Sequence, residues 1–407
     1  MTPGNTLDAS VPAHVPAHLV HGFDYYNAPE LKREPHRSMH EFVKSRPPIF
    51  YTPHNGGHWV VGRSSDALEM LRQPENFSSD PQYNWAARVP RTVPQQYDPP
   101  DLTEYRKIIS PFFSPVAIRA MEPQIRAVAR SLIAAVEPRG GCEFLEDVAE
   151  EFPVVVFLQM AGAPLSDRHH LVDLADKAVR DPDRAVRMRV VLNLAEYVKA
   201  SIADRRRNPG PDLISHIAQA RFHDRPLTED ELVGMGVLLF LAGLDTVAAA
   251  LAFSMLFLAR NPAHYATLRR DPATIVPAIE EILRVHGVAG MERGVTHDFE
   301  YGGAPMRRGD RILFVPQLYG FDQPGLDDPF KVDFTRSVSP HLAFGAGPHR
   351  CIGSHLARTE MRVFLEEWIA AVPSFAIAPG ADVAMRGGNV WSPVALPLVW
   401  PASGAAA

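Results

Sequence analysis

The segment LVGMGVLLFLAGLDTVAAALAFSMLFL, residues 232–258, limits more than any other feature how this chain can fold. Its apolar length exceeds the about 20 residues that a helix needs to cross a bilayer, so a membrane span is one interpretation. However, Asp245 and Thr246 lie at its centre, where an ionised carboxylate is costly in lipid. Thr228 and Glu231 precede it with the spacing of a capping box, which is typical of soluble helices. We therefore predict a long helix buried at the centre of a soluble protein, with no membrane span.

The composition excludes two other classes of protein. The net charge of −6 argues against a dedicated nucleic-acid binder, which needs a basic surface to displace counterions. The chain has two cysteines, Cys142 and Cys351, too few for a disulfide framework and consistent with a reducing cytosol. A chain of 407 residues that is 46% hydrophobic can bury a large core with a cavity inside it. We expect a cytoplasmic globular protein.

The chain reads as one domain after a short leader. Residues 1–22 are rich in proline and small residues and have no signal-peptide pattern, so we expect a loosely ordered N-terminal leader. Residues 23–407 show no repeat and no Gly/Ser linker, which predicts one large domain. Residues 49–63 predict two strands around an Asn-Gly-Gly turn, and residues 298–316 and the final VALPLVW are also strand-like. The rest is mainly helical, so the predicted fold class is mainly α with small β-sheets.

The polar residues inside the long helix allow two interpretations. Gly243 weakens the helix locally, and the Thr246 hydroxyl can bond a carbonyl one turn earlier or face a cavity. With Asp245, these residues could open the helix to water and carry protons. Alternatively, Asp245 pairs with a basic residue and Thr246 bonds its own helix, which is the simpler reading of this segment alone.

A glutamate and an arginine stand three residues apart in the stretch EILR. Glu281 and Arg284, like Glu280 and Arg284, are spaced to meet on one helix face. Such a spacing usually marks a surface ion pair worth a few tenths of a kcal/mol, so it predicts little by itself.

The stretch FGAGPHRCIG places Cys351 in a glycine-rich loop before a predicted helix. Amides of the loop and the helix N-terminus could hold a thiolate deprotonated. Read locally, three roles are open: a zinc ligand with His341, His349 and His355, a nucleophile paired with histidine, or an inert buried thiol. The inert thiol is favoured for an arbitrary cysteine.

Together, these features resemble a known family. FGAGPHRCIG resembles the haem-ligand signature FxxGxxxCxG of the cytochromes P450, EILR resembles their ExxR motif, and AGLDT resembles their [AG]Gx[DE]T motif. The order and spacing of the motifs fit over nearly the whole chain after the leader. AGLDTVAAALAFSM, SHLAR, ALPLVW and the DPP before Arg106 are similar to the bacterial class I, camphor-hydroxylase family.

The resemblance implies a single P450 domain with haem b between the long central helix and the cysteine loop. It implies that the Cys351 thiolate is the axial iron ligand, since electron donation from such a thiolate favours O–O cleavage in O2. Further residues are implied to bind the cofactor, by contact with the macrocycle or with its propionates: Arg106, Arg293, His349, Phe344, Gly347, Gly353, Ala242 and Gly243.

The family likeness also assigns roles to the polar pairs. Asp245 and Thr246 would be catalytic and relay protons, with Arg180 as a candidate partner for Asp245. Glu281 and Arg284 would be a structural pair behind the haem, completed by a third basic residue, either Lys331 or Arg336. The family's HxxxR motif is incomplete, because Leu102 replaces its histidine four residues before Arg106.

The resemblance further implies O2 as co-substrate and a small apolar substrate. The candidate pocket residues, which could equally be ordinary core, are Leu238, Leu241, Ala242, Ala289 and Val390. Pro90 stands where the camphor enzyme has a tyrosine that hydrogen-bonds its ketone, so we expect a terpenoid or norisoprenoid other than camphor.

The implied electron source is a [2Fe–2S] ferredoxin with an NAD(P)H-dependent reductase. The candidate ferredoxin contacts are Arg106, Arg350 and Arg358, and the protein is expected to be a monomer. Two alternatives remain: a peroxide-driven or non-oxygenating haem-thiolate enzyme, and a zinc- or ligand-binding helical protein without turnover.

Overall fold

The computed structural model describes residues 9–26, 28–83, 90–181, 183–322, 326–337 and 340–401, without the side chains of residues 179, 180 and 184. As predicted, the fold is mainly α-helical with small β-sheets. The α-helices are α1 (Pro35–Lys44), α2 (Ser64–Met70), α3 (Asp101–Ile109), α4 (Pro115–Val136), α5 (Glu151–Ala161), α6 (Arg168–Arg180), α7 (Arg184–Arg207), α8 (Leu213–Gln219), α9 (Glu229–Leu244), α10 (Thr246–Arg260), α11 (Pro262–Arg270), α12 (Ile275–Val285) and α13 (Ser354–Ala371).

The strands form a five-stranded sheet and several smaller ones. They are β1 (Ile49–Thr52), β2 (His58–Val61), β3 (Phe77–Ser78), β4 (Gly141–Glu143), β5 (Arg221–Phe222), β6 (Arg225–Pro226), β7 (Met291–Val295), β8 (Phe299–Tyr301), β9 (Ala304–Met306), β10 (Arg311–Phe314), β11 (Ala376–Ile377), β12 (Met385–Arg386), β13 (Ser392–Pro393) and β14 (Pro397–Val399). The largest sheet has the order β1-β2-β10-β7-β3, in which only β2 and β10 are parallel. The predicted hairpin and the strand-like segments near residue 300 and at the C-terminus are confirmed.

The start of the long central helix is fixed by the predicted capping box. The hydroxyl of Thr228 accepts a hydrogen bond from the Glu231 backbone N–H, and the Glu231 carboxylate accepts one from the Thr228 backbone N–H. Glu231 is also bound by Arg225 and by the Tyr105 hydroxyl. Three groups, the Thr228 N–H, the Arg225 guanidinium and the Tyr105 hydroxyl, therefore converge on one buried carboxylate at the first turn of α9.

The central helix is broken where the sequence predicts a continuous one. Asp245 has φ −121° and ψ −36° and separates α9 from α10. The Thr246 hydroxyl donates to the Ala242 carbonyl at 3.2 Å, an interaction that bends helices. In the apolar window of this segment 78% of the residues are buried inside the protein, although its length and composition would suit a membrane span. The segment is the core helix of the fold.

The N-terminal segment lies on the large sheet as far as the structure describes it. Leu19 is buried, and Val20 forms an isolated parallel bridge with Tyr51 of β1. Residues 9–22 of the predicted leader therefore make defined contacts, and residues 1–8 lie outside the described part of the chain. The domain boundary at residue 22 stays a prediction.

Candidate active site

The cysteine loop is held by backbone hydrogen bonds just before α13. The Cys351 N–H donates to the Phe344 carbonyl at 2.8 Å. Gly347 has φ +65°, and a Cβ there would lie 2.2 Å from the Leu71 carbonyl oxygen. A side chain is therefore excluded at Gly347 both by its backbone conformation and by the end of α2. Gly353 lies close to the sulfur, because a Cβ at this position would be 3.8 Å from Cys351 Sγ.

The Cys351 residue combines exposed surface with a desolvated thiol. The residue keeps exposed surface, yet burial by protein atoms raises the pKa of its thiol. The Gly353 backbone N–H and the Arg106 guanidinium act in the opposite direction and favour the thiolate. A thiol that is accessible yet surrounded by protein atoms can act as a single soft metal ligand.

The zinc interpretation is not supported by the arrangement of side chains. No group of three or more His, Cys, Asp or Glu residues suited to a metal ion occurs among the described residues. His341 lies 3.2 Å from Glu280, and His349 lies 3.5 Å from Asp98, so both rings have other neighbours. Among the described residues, Cys351 therefore lacks the three further ligands of a tetrahedral structural zinc site.

Two predicted propionate ligands, Arg293 and His349, are a cation and a potential cation that lie buried near a single carboxylate, Asp98. Arg293 on β7 is 8% exposed, and burial lowers its pKa to about 10. Burial also lowers the pKa of His349 to about 4, and its Nε2 has no hydrogen-bond partner among the described residues. Arg106 is close enough to disfavour the charged form of His349, so the three residues lie in one region. This site is suited to an anion that would stabilise the buried charges.

Asp98 joins this region and was missed from the sequence. Although burial opposes it, the nearby His349 ring and a hydrogen bond from the Ser78 hydroxyl hold the pKa of Asp98 below its usual range. The Ser79 N–H donates to its carboxylate at 3.1 Å. The signal in the sequence is the acid directly before Pro99 and Pro100, in the DPP stretch that resembles the family.

One face of the central helix is more accessible than the rest of it. Ala242 is exposed and Leu238 and Thr246 are half-buried, although their neighbours along the helix are mostly buried. These three residues are four apart and share a helix face. Leu241 is 7% exposed and Asp245 also 7%, so both lie on the more buried side. The side chain of Arg180, the candidate partner of Asp245, lies outside the described residues.

Gly243 has a packing role. A Cβ at this position would lie 2.7 Å from Cδ2 of Phe157 on α5. The glycine therefore lets α5 pack directly against the central helix next to the break. Its predicted contact with the macrocycle is not part of what the structure describes and stays a prediction.

The two predicted pocket residues outside the central helix are adjacent in space. Ala289 and Val390 form an isolated antiparallel bridge. The bridge is flanked by hydrogen bonds from the Gly290 N–H to the Asn389 carbonyl at 3.0 Å and from the Trp391 N–H to the Val288 carbonyl at 2.9 Å. We call the paired segments 288–290 and 389–391 the pocket wall.

The Glu281–Arg284 pair is buried, contrary to the surface pair that its spacing suggests. Their side chains have no exposed surface, and Arg284 Nε donates to Glu281 Oε1 at 2.9 Å. Arg336 Nε donates to the same carboxylate oxygen at 3.0 Å. Lys331 contributes only its backbone carbonyl, which accepts from Arg284, while its ammonium lies 3.9 Å from Asp333. The third member is therefore Arg336.

The arginines near Cys351 differ in whether their guanidinium groups are already bound inside the protein. Arg106 Nη2 donates to the Arg350 carbonyl at 2.8 Å, and Arg350 is exposed. Arg358 binds both carboxylate oxygens of Glu280, at 2.6 and 2.8 Å, and stacks 4.3 Å from the Phe344 ring centroid. The Arg358 guanidinium thus has internal partners, which its position in SHLAR did not indicate.

These residues fit a flat, anionic, iron-bearing group. Cys351 offers one accessible sulfur, Arg293 offers buried positive charge and His349 a buried ring nitrogen to an anion, and Ala242 gives the central helix a small side chain at its exposed face. Haem b has an iron, two carboxylates and a flat apolar ring, which match these three properties.

Comparisons with known proteins agree with this fit. The sequence model of the family described as cytochrome P450 matches residues 165–371. A probable cytochrome P450 127A1 from Sinorhizobium fredii is 34% identical over 401 residues, covering 96% of this chain and 97% of the relative. The crystal structures of CYP101J2 and cytochrome P450 CYP101C1 are similar with a TM-score of 0.88 each, at 32% and 34% identity, covering 97% of this chain and 100% of theirs.

Proposed function

This chain belongs to the cytochrome P450 family, and we propose that it hydroxylates a small apolar substrate with electrons from a ferredoxin. Haem b is its cofactor and O2 its co-substrate. When bound, a thiolate-ligated haem activates O2 and transfers one oxygen atom to a substrate. The observation that carries the proposal is the desolvated yet exposed thiol of Cys351 in the loop before α13.

The site residues of this chain would have separate roles. Cys351 would bind the iron, and Arg106, Arg293 and His349 would bind the propionates through charge-assisted hydrogen bonds. Thr246 would hold a proton donor at the exposed helix face, since its hydroxyl is anchored on the Ala242 carbonyl. Asp245 would supply protons from the buried side of the helix break.

The pocket would be apolar. Leu238 and Ala242 on the central helix and Ala289 and Val390 on the pocket wall carry no hydrogen-bonding side chain. Pro90, which is half-buried, offers none at the position of the camphor enzyme's tyrosine. An apolar wall selects by shape, which supports a terpenoid or norisoprenoid as substrate.

A ferredoxin as electron donor is supported by positive charge next to the cysteine loop. Arg350 is exposed one residue before Cys351, and Arg106 reaches the Arg350 carbonyl. Cationic side chains at this place can steer an acidic protein toward the haem edge. Arg358 is a weaker candidate because Glu280 and Phe344 occupy its guanidinium. The two free cysteines are compatible with a cytoplasmic enzyme.

The second candidate is a peroxide-driven enzyme of the same family. The acid and alcohol at Asp245 and Thr246 favour the O2-dependent reaction, because they provide the protons that O–O cleavage consumes.

The test is a screen of terpenoids and norisoprenoids for a high-spin shift of the haem-loaded protein, followed by turnover under labelled O2. We expect NADH, a ferredoxin reductase and a [2Fe–2S] ferredoxin to support a product with one labelled oxygen atom. Product formation with hydrogen peroxide alone, and none with the electron-transfer proteins, would favour the peroxide-driven alternative.

A further inference from the structure

Three side chains from three segments meet beside the cysteine loop. Arg358 on α13 donates from Nε and Nη2 to the two carboxylate oxygens of Glu280 on α12, at 2.6 and 2.8 Å. His341, in the segment that leads to the loop, places its Nε2 3.2 Å from Oε2 of the same carboxylate. Burial opposes the charge of Glu280, but hydrogen bonds from Arg358 and His341 lower its pKa to about 2. We call Glu280, His341 and Arg358 the Glu280 triad.

The hydrogen bonds of His341 define its tautomer. Its Nδ1 lies 3.1 Å from the Ala343 backbone nitrogen, whose N–H can only donate, so Nδ1 accepts and carries no proton. The proton is therefore on Nε2, which donates to Glu280. The His341 side chain is only 4% exposed, so the ring is held inside the protein. His341 thus joins the Glu280 carboxylate to the peptide directly before Phe344.

Phe344 is the residue through which the triad reaches the cysteine. The Arg358 guanidinium stacks over its ring, 4.3 Å from the centroid. A bidentate carboxylate fixes the direction of a guanidinium as well as its distance, so Glu280 holds Arg358 in this position. The Phe344 carbonyl accepts the Cys351 N–H at 2.8 Å. The position of Phe344 is therefore transmitted to the backbone of Cys351.

Arg358 also acts on the sulfur through its charge. Burial raises the pKa of the Cys351 thiol, and the Arg358 guanidinium is among the groups that oppose this rise. A cation near the sulfur favours the thiolate, which is the form that binds a metal. The same contacts that hold Arg358 against Phe344 therefore keep a positive charge near Cys351.

A second arginine on the same helix shows what is particular to this arrangement. Arg362 lies one turn after Arg358 on α13, and the two side chains are 26% and 29% exposed. Arg362 also binds two carboxylates, at 2.6 Å to Glu122 and 2.8 Å to Glu366. These partners lie on α4 and on α13 itself, whereas the partners of Arg358 lie on α12 and in the cysteine loop.

We propose that the Glu280 triad consists of positioning residues for the axial ligand: it holds the Phe344 carbonyl on the Cys351 N–H and so keeps the sulfur in place for the iron. Residues of this kind orient a metal ligand without touching the metal. The role rests on the proposed function, since it takes Cys351 as the iron ligand. It is separate from the task of the neighbouring Glu281, whose carboxylate binds Arg336 instead.

The test measures how fast the reduced, carbon monoxide-bound holoenzyme loses its band at about 450 nm to one at shorter wavelength, which reports loss of the thiolate ligand. The variants are His341→Phe, which keeps a ring without nitrogen, Glu280→Gln, and Arg358→Lys, which keeps the charge but cannot form the bidentate, stacked contact. At one temperature below all melting temperatures, we expect each variant to lose the band roughly threefold or more faster than the parent. Glu280→Gln should have the largest effect, because it loosens both of its partners.

Arg362→Lys is the matched control, because it makes the same replacement on the same helix at a similar exposure. It should keep the parent's rate of band loss, whatever its effect on the melting temperature. Equal acceleration in Arg358→Lys and Arg362→Lys would reduce the effect to the general stability of α13 and overturn the positioning role. Unchanged rates in the folded, haem-replete triad variants would overturn it as well.

His341→Phe keeps the proposal testable if Arg358→Lys does not fold, because it leaves the ion pair between Glu280 and Arg358 intact. Its rate is compared with that of the parent in the same way, and a parent-like rate would contradict the role of the triad. A folded, haem-replete parent without the band at about 450 nm would instead contradict the proposed function.

Discussion

Arg336 donates a hydrogen bond from Nε to Oε1 of Glu281, 55 residues earlier in the chain, at 3.0 Å. The same carboxylate binds Arg284 and accepts the Asp333 N–H at 3.0 Å. Two guanidinium groups thus bind one glutamate whose side chain has no exposed surface. The arrangement ties α12 to residues 333–336, which precede the cysteine loop in the chain.

Replacing Arg336 with alanine is expected to destabilise the protein by about 1–3 kcal/mol and to weaken haem retention, because Glu281 loses one of two charged partners inside the protein. Thermal unfolding followed at the Soret band measures both effects. Lys331→Ala is the matched control and should change stability by less than about 0.5 kcal/mol, since only its backbone carbonyl takes part. Equal losses in the two variants would contradict the assignment of Arg336.

Thr246→Val is expected to separate electron consumption from product formation. The variant keeps the shape of the side chain and removes the hydroxyl that is bonded to the Ala242 carbonyl. NADH oxidation should continue, while the product formed per NADH falls by roughly tenfold or more and hydrogen peroxide is released. Thr246→Ser restores the hydroxyl and should recover most of the coupling. Full coupling in Thr246→Val would rule out a proton role for this residue.

Arg350→Glu is expected to raise the ferredoxin concentration needed for half-maximal turnover by roughly tenfold at low salt, with the difference shrinking as salt is added. Arg207→Glu makes the same charge change on a side chain that is 73% exposed at the end of α7 and should have little effect. Steady-state titration of ferredoxin at two ionic strengths gives the comparison. Identical titrations for both variants would exclude Arg350 from the docking surface.

The buried His36 is expected to make the stability of the protein depend on pH. Its Nε2 donates to the Gly287 carbonyl at 2.9 Å, and its ring contacts Phe253 and His286 edge to face. Burial lowers the pKa of His36 to about 4, against about 6.5 in the unfolded chain. Below about pH 6.5 the unfolded chain binds a proton at His36 that the folded protein does not bind. The free energy of unfolding therefore decreases as the pH is lowered to about 4. The contribution of His36 is about 2 kcal/mol between about pH 7 and about pH 5.

The measurement is denaturant unfolding of parent and His36→Gln across that pH range. The variant keeps a side-chain donor for the Gly287 carbonyl and loses the titration, so its stability should depend less steeply on pH. His170→Gln, on the exposed side of α6, should keep the parent's slope. A parent and a His36→Gln variant with the same slope would show that His36 does not remain neutral in the folded protein.

Structural features that are fixed by neighbouring residues were predictable from local sequence patterns. The Thr228 capping box, the β1–β2 hairpin and the Cys351 loop are each fixed by a few adjacent residues, and the structure has all three. The break at Asp245 was harder to foresee, because it requires the Thr246 hydroxyl to compete for the Ala242 carbonyl within an otherwise apolar helix.

Contacts between distant segments were not predictable from one sequence. Neither the choice of Arg336 over Lys331 nor the pairing of Arg358 with Glu280 leaves a local signal. Gly347 shows the same limit, because the motif indicates a glycine while its reason, the approach of the α2 end, lies far away in sequence. Such contacts depend on how helices pack, which spacing alone does not determine.

The central claim is that Cys351 is the thiolate ligand of a haem iron. The most direct measurement is the absorption spectrum of the reduced, carbon monoxide-bound protein, compared with that of Cys351→His. We predict a Soret band at about 450 nm for the parent and at a shorter wavelength for the variant, because only thiolate ligation produces the long-wavelength band. A folded, haem-replete parent without the band at about 450 nm, or a Cys351→His variant that keeps it, would contradict the account.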